Sequence, residues 1–212
     1  KLCTTGLHLA PVVFLKNLGS PILKLIATAA DGFKDALDKA GLSEILARHQ
    51  LAHAFIEYSC HFAPDAICGT GLFAATGYKS GSISSRTLSL VGGHLFAGIS
   101  TKSLAHLAQL VTAGKFQRYD EGKQGNILKY GTLQPPEYDL SLVTSAVLLL
   151  TGQNDFLSPV EDVHNLATTL PNLVENFVIP DQTWSHNNHL WGKDVWRFEF
   201  PTILEYMRWY NS

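Results

Sequence analysis

Charged residues are scarce in this chain, and no run of lysines and arginines occurs anywhere along it. Lysine and arginine together number 16 against 18 aspartates and glutamates, which gives a formal net charge of -2 over 212 residues. Proteins that bind nucleic acid usually show a basic excess or a basic stripe, because they neutralise phosphate groups. The charge balance therefore argues against a nucleic-acid partner.

The sequence also has no hydrophobic run long enough to cross a bilayer, although hydrophobic residues make up 46% of it. The most apolar stretch, residues 143–150, falls far short of the roughly 20 residues that a transmembrane helix requires. We therefore expect no transmembrane segment. The chain starts at Lys1 with neither an initiator methionine nor the pattern of a signal peptide, so we expect it to begin within a longer protein.

Only three cysteines occur, and two of them are close in sequence. Cys60 and Cys68 lie in a loop-like stretch and could close a short disulfide loop, which would indicate an oxidising compartment. They could equally be two buried thiols, and the spacing alone does not decide between these interpretations. Cys3 lies in an apolar run that is typical of a core thiol.

The carboxy-terminal part alternates between patterns typical of strands and patterns typical of helices. Residues 143–150 and 173–179 are predicted to be buried strands. Between them, Ser158, Pro159 and Glu161 match the N-cap, first position and capping box of a helix. A final helix rich in aromatic residues follows. Such an alternation predicts a parallel sheet with helical crossovers.

A mainly helical block precedes this alternation. Apolar residues recur at helical spacing through much of residues 20–114, and Gly114 is well placed to end the last of these helices. Residues 2–14 predict one more buried strand that runs into a loop. We therefore predict an α/β fold whose core comprises residues 1–14 and 116–212, with a helical cap or lid inserted at residues 15–115.

Asp155 and His186 occupy the loops that follow the two predicted strands. In open parallel sheets, functional groups gather beyond the carboxyl ends of the strands, so we expect the two loops to be neighbours. A carboxylate followed later in the chain by its histidine is the order found in α/β-hydrolases. Two structural interpretations stay open at this point. Asp155 could serve only the helix-entry turn, and His186, one of nine histidines, could have no catalytic role.

Several short segments, in chain order, resemble the acid-lipase family of gastric and lysosomal lipases, and together they span nearly the whole chain. They are Leu9-Ala10-Pro11-Val12, Cys60 to Cys68 with Gly77-Tyr78 beyond, His94-x-x-Ala97-Gly98, Gly114-Lys115-Phe116-Gln117 with Tyr119-Asp120 and Gly122, Gln134-Pro135-Pro136-x-Tyr138, Gly152-x-x-Asp155, and His186 with Trp191.

The resemblance implies a fold, a site and an activity. The fold is the carboxy-terminal half of an α/β-hydrolase sheet with a helical cap, and Cys60 and Cys68 match the disulfide of the family's cap region. Asp155 matches the acid and His186 the base of a Ser-His-Asp triad. The implied activity is cleavage of acyl esters of neutral lipids, triacylglycerol or sterol ester, at a lipid interface. It needs no cofactor, and the family implies a secreted or lysosomal location.

The chain departs from the family in having no G-x-S-x-G motif. Ser100 follows Gly98 at the correct spacing, but Lys102 stands where the second glycine is needed. The resemblance therefore places the serine nucleophile and the oxyanion-hole amides before residue 1, in a missing amino-terminal half. We expect this chain alone to show no turnover.

A second departure concerns the histidine loop. Asn188 stands where relatives of this kind usually carry aspartate, two residues after the histidine. His189 is consequently a rival for the role of base, although the resemblance favours His186.

Apolar residues of the predicted cap are candidates for lining an acyl-chain site, although each could instead be ordinary helix-packing core. They are Leu42, Ile45, Leu46, Phe55, Ile56, Phe62, Leu72 and Phe73.

The sequence allows two further interpretations. His49, His53 and Glu57 share one helix face, but Gln50 stands where a metalloprotease helix would carry glutamate, so we expect a polar surface and no metal site. The main rival to an enzyme is a non-catalytic lipid-binding or structural protein built on a lipase scaffold. A G-x-S-x-G motif upstream of Lys1 would decide for the enzyme.

Overall fold

The computed structural model describes residue 39 and residues 44–45, 50–77, 79–92, 94 and 98–211. The strand predicted within residues 2–14 lies outside these ranges. The division into core and cap therefore stays a prediction. The described chain is mainly helical and contains one two-stranded parallel sheet, which agrees with an α/β class.

The first described part is a set of short helices, with one two-residue antiparallel strand pair. Its elements are β1 (Glu44–Ile45), α1 (Gln50–Phe62), a π-helical turn (Pro64–Gly69), α2 (Thr70–Thr76), α3 (Ser85–Gly92), β2 (Ile99–Ser100), which pairs with β1, and α4 (Thr101–Ala113).

Helix α4 ends as its sequence predicts. Gly114 takes the left-handed conformation, with φ at 61°, and its N–H donates to the carbonyl of Leu110. A glycine adopts this conformation without the steric cost that a Cβ would bring, so it satisfies a carbonyl that the helix end leaves open.

A disulfide joins Cys60, near the end of α1, to Cys68 in the π-helical turn. Cys60 is fully buried, and the hydroxyl of Ser89 on α3 donates to its carbonyl at 3.1 Å. The sequence left a disulfide and two free thiols as alternatives, and the structure has the disulfide. Ser89 bonds the backbone of Cys60 and Gly92 lies against the sulfur atoms, so α3 packs directly against the bridged segment.

The second described part contains the parallel sheet. Its elements are α5 (Gly122–Tyr130), a 3-10 turn (Leu140–Leu142), β3 (Val147–Thr151), α6 (Val160–Ala167), β4 (Leu173–Val178), α7 (Asn188–Trp191), α8 (Val195–Phe198) and α9 (Phe200–Asn211).

β3 and β4 are paired parallel strands, and the crossover helix α6 connects them. β3 and α6 meet in one apolar cluster, where Val147 and Leu149 of β3 pack with Val163 and Leu166 of α6. Burial of these side chains fixes the position of β3, and the position of its end determines where the following loop begins.

The predicted element boundaries need two corrections. β3 begins at Val147 and not at residue 143, because a 3-10 turn occupies residues 140–142 and Val143 packs against the core from outside the strand. The predicted capping box is also wrong: Pro159 is the N-cap residue of α6, and no side chain caps this helix. The N–H of Ser158 donates instead to the carboxylate of Asp155.

Within the described residues, no helix combines the length and apolarity that crossing a membrane demands.

Two glycine substitutions test the packing at the disulfide. A Cβ at Gly92 would lie 2.6 Å from Sγ of Cys60, whereas the space around Gly71 on α2 is open to 4 Å. We expect Gly92→Ala to lower the free energy of unfolding by about 1–3 kcal/mol through overpacking. Gly71→Ala should raise it by about 0.4–1 kcal/mol, because it restricts the unfolded chain.

Urea denaturation of the two purified variants checks this expectation. Equal stabilities for the two alanine variants would contradict the close contact between α3 and the disulfide.

Candidate active site

Asp155 lies in the loop after β3 and is 5% exposed. Its Oδ1 accepts the backbone N–H groups of Leu157 and Ser158, both at 2.8 Å. Aspartate commonly makes such bonds to the backbone two and three residues ahead in turns. The carboxylate is therefore held in one orientation, with its second oxygen directed away from the turn.

His186 lies in the loop after β4, and its Nδ1 is 3.0 Å from Oδ2 of Asp155. An ionised carboxylate can only accept a hydrogen bond, so Nδ1 carries the proton and Nε2 is left as the basic nitrogen. The Asp155 side chain is 2% exposed and the His186 side chain 22%. The structure thus brings the two predicted residues together, with the carboxylate enclosed and part of the imidazole accessible.

The two loops are joined through their backbones. The N–H of Asn154 donates to the carbonyl of Trp184 at 2.8 Å, and the N–H of Ile179 donates to the carbonyl of Thr151 at 2.9 Å. A Cβ at Gly152 would lie 2.6 Å from the Trp184 carbonyl oxygen, so a glycine allows the loops to approach this closely.

His189 has a different partner. Its Nδ1 lies 2.6 Å from Oε1 of Glu199, and the His189 and Glu199 side chains are 5% and 2% exposed. The indole N–H of Trp184 donates to the same carboxylate oxygen at 2.9 Å. A buried carboxylate requires such partners, because an unpaired charge in the interior is costly. His189 therefore pairs with a buried carboxylate beneath the loop. This geometry favours His186 for the role of base.

Asn188 completes a local turn. Its Oδ1 accepts the hydroxyl of Ser185 at 2.6 Å and the N–H of Ser185 at 3.3 Å. Asn188 is 3% exposed. An amide at this position thus stabilises the segment that carries His186.

The predicted apolar lining residues are only partly described. Phe55 and Phe62 of α1 are 71% and 81% exposed, and Ile56 is half-buried. Leu42 and Leu46 lie outside the described residues, as do the side chains of Ile45, Leu72 and Phe73. Their role in binding substrate stays a prediction.

A small cavity adjoins the pair, and of the predicted lining residues whose side chains the structure describes, Phe55, Ile56 and Phe62, none borders it. It is lined by Leu150, Thr151, Asp155, Ser158, Val163, His186 and His189.

The possible metal ligands are also incompletely described. His49 and the side chains of His53 and Glu57 lie outside the described residues. Among the side chains that the structure does describe, no group of three or more histidine, cysteine, aspartate or glutamate residues is arranged to hold a metal ion.

The sequence reasoning missed Trp184 and Glu199. Both are 1% exposed, and they are joined by a hydrogen bond across 15 positions. The presence of tryptophan and glutamate in two separate segments does not reveal that they meet. A buried glutamate is recognisable only once its surroundings are known.

Comparison with known proteins shows a clear set of relatives. The chain is 31% identical over 198 residues to the gastric triacylglycerol lipase of Rattus norvegicus, which covers 92% of this chain and 49% of the relative. It is 28% identical over 211 residues to the lysosomal acid lipase/cholesteryl ester hydrolase of Homo sapiens, covering 96% and 50%. It is 26% identical over 205 residues to Lipase 3 of Drosophila melanogaster, covering 96% and 52%.

The chain thus spans about half the length of the curated relatives it matches. No protein-family model matches it. The relationship implies an α/β-hydrolase fold, and the pair of parallel strands with its crossover helix is compatible with part of that fold.

The buried Glu199 cluster generates a stability prediction. Glu199→Leu would leave the indole N–H of Trp184 and the Nδ1 of His189 without their acceptor in the interior. We expect a loss of about 2–4 kcal/mol in the free energy of unfolding. Glu199→Gln keeps an acceptor and should cost less.

Urea denaturation of the variants measures these losses, with Glu205→Leu on the exposed side of α9 as the matched control. Surface changes of this kind usually stay within about 0.5 kcal/mol. A Glu199→Leu variant as stable as Glu205→Leu would rule out a stabilising role for the cluster.

Proposed function

We propose that this chain, a relative of the acid lipases over about half of their length, supplies the acid and the base of a serine-dependent ester hydrolase. The observation that carries the proposal is the 3.0 Å contact between Asp155 Oδ2 and His186 Nδ1. The carboxylate in this contact is buried and the imidazole is partly accessible. We assign the chain to the carboxy-terminal half of the hydrolase sheet and its cap.

The roles of the two residues follow from this geometry. A serine outside this chain attacks the ester carbonyl, and Nε2 of His186 accepts the serine proton. Asp155 keeps the imidazole in the Nδ1–H tautomer and stabilises the imidazolium that forms. His186 then donates the proton to the leaving alcohol, and water releases the acyl group in a second round of the same steps.

The oxyanion-hole donors also belong to the segment that carries the serine. Preorganised donors at this position typically contribute about 100- to 1000-fold each to the rate. This chain alone is therefore expected to be inactive, and turnover requires the protein that contains it in full. The chemistry needs no cofactor.

The substrate class is proposed from the relatives. Their names specify a triacylglycerol lipase and a cholesteryl ester hydrolase, so we propose an acyl ester of a neutral lipid presented at a lipid interface. A secreted or lysosomal location accords with these relatives and with the disulfide, which persists best in an oxidising compartment.

Substitution of His186 tests the proposal. In the full-length natural protein, His186→Gln should lower kcat by at least about 1000-fold for a p-nitrophenyl ester, because the serine loses its base. Asp155→Asn should lower kcat by about 10,000-fold through the wrong imidazole tautomer. His164→Gln on the exposed side of α6 is the matched control and should retain activity.

A serine-directed fluorophosphonate probe provides an independent measurement. The wild-type protein should be labelled at one serine upstream of this chain, and His186→Gln should abolish the labelling. A full-length protein that carries no such serine would decide for the non-catalytic lipid-binding alternative.

A further inference from the structure

The end of α2 lies against both loops of the candidate site. Thr76 is 7% exposed, and Gly77 after it is also buried. The two residues precede the catalytic loops by more than 70 positions in sequence, and they belong to the predicted cap. Their contacts therefore connect the helical part of the molecule to the sheet.

The residues next to Asp155 and His186 make these contacts. Asn187 donates its side-chain N–H to Oγ1 of Thr76 at 2.7 Å, in a buried position. Asn154 donates its side-chain N–H to the carbonyl of Gly77. The two amides thus reach consecutive residues of the cap from the two loops.

The approach at Gly77 leaves no free space. Gly77 has a φ of 82°, and a Cβ there would lie 2.0 Å from the carbonyl oxygen of Asn154. The backbone N–H of Phe156, one residue after Asp155, also donates to the carbonyl of Thr76 at 3.4 Å. The loop carrying Asp155 is therefore held on both sides of that residue.

A second set of contacts holds the end of α7, the short helix that follows the histidine loop. The N–H of Lys193 donates to the carbonyl of Ser82 at 3.0 Å, and Ile83 forms an isolated β-bridge with Gly192. Trp191 packs against the buried pair Ile83 and Leu88. The segment after α2 thus contacts the chain at the end of α7, beyond the His186 loop.

We propose that Thr76, Asn154 and Asn187 are positioning residues that set the separation of Asp155 and His186. Their effect on catalysis rests on the proposed function. Asn154 and Asn187 each adjoin one member of the pair, and both are bound to the same turn of the cap. A displacement of this turn changes the distance across the pair. Reacting groups misplaced by about 1 Å can lose about 100-fold in rate.

The first test removes one acceptor. Thr76→Val keeps the shape of the side chain but cannot accept the Asn187 N–H. In the full-length protein we expect kcat to fall by about 10- to 100-fold with KM unchanged, when rates are normalised to the fraction that fluorophosphonate titrates. Thr76→Ser restores the hydroxyl and should recover most of the lost kcat.

The matched control is Thr112→Val, whose hydroxyl on the exposed side of α4 bonds only within its own helix in the contacts described. A merely structural role for Thr76 would lower the titratable fraction and leave the normalised kcat at the control value. That outcome would overturn the proposal.

A double variant keeps the test decisive if the unpaired amide of Thr76→Val disturbs folding. Asn187→Leu removes the amide, and Thr76→Val/Asn187→Leu removes both partners. If both residues act through one hydrogen bond, the double variant should lose no more kcat than either single variant. Fully multiplied losses would contradict this coupling.

A crystal structure of Thr76→Val gives a readout that does not depend on activity. We expect Nδ1 of His186 to lie farther from Oδ2 of Asp155 than in the wild type. An unchanged distance would overturn the positioning role even if the protein proved not to be a hydrolase. An inactive wild type with a lengthened contact in the variant would instead refute the proposed function alone.

Discussion

The contact between Asp155 and His186 depends on how one carboxylate divides its two oxygens. Oδ1 accepts two backbone N–H groups of its own turn, and Oδ2 faces the imidazole. The turn fixes the orientation of the carboxylate, which lowers the entropy lost in forming the pair. Oδ1 thus serves the turn, as the structural interpretation of Asp155 expects, while Oδ2 lies against His186, as the proposed function requires.

The histidine loop is stabilised from two sides. Beneath it, Glu199 accepts one hydrogen bond from Trp184 and pairs with His189 in the interior. Beside it, Thr76 of the cap accepts the Asn187 amide. These buried polar contacts stabilise the fold only when every partner is present, because an unsatisfied polar group in a core costs more than the bond gains.

Much of the architecture was predictable from sequence patterns. The apolar runs at 143–150 and 173–179 predicted two strands, and the structure has parallel strands at Val147–Thr151 and Leu173–Val178. Gly114 predicted a helix end for a local steric reason, which the structure confirms. The predicted capping box at Ser158 is absent, and the Ser158 N–H that Glu161 would have accepted donates to Asp155 instead. Sequence spacing alone does not rank such competing acceptors.

The sequence by itself determined the order of strand, helix and strand within residues 143–179, since hydrophobic periodicity and turn residues act over a few neighbouring positions. It also indicated Asp155 and His186 as candidates, because residues that follow parallel strands share one edge of a sheet. Only the tertiary structure decided which histidine faces Asp155 and which is buried against Glu199. Only it showed that Thr76 and Gly77 meet both loops. These contacts join positions far apart in the chain, and their partners are chosen by packing, which no local pattern encodes.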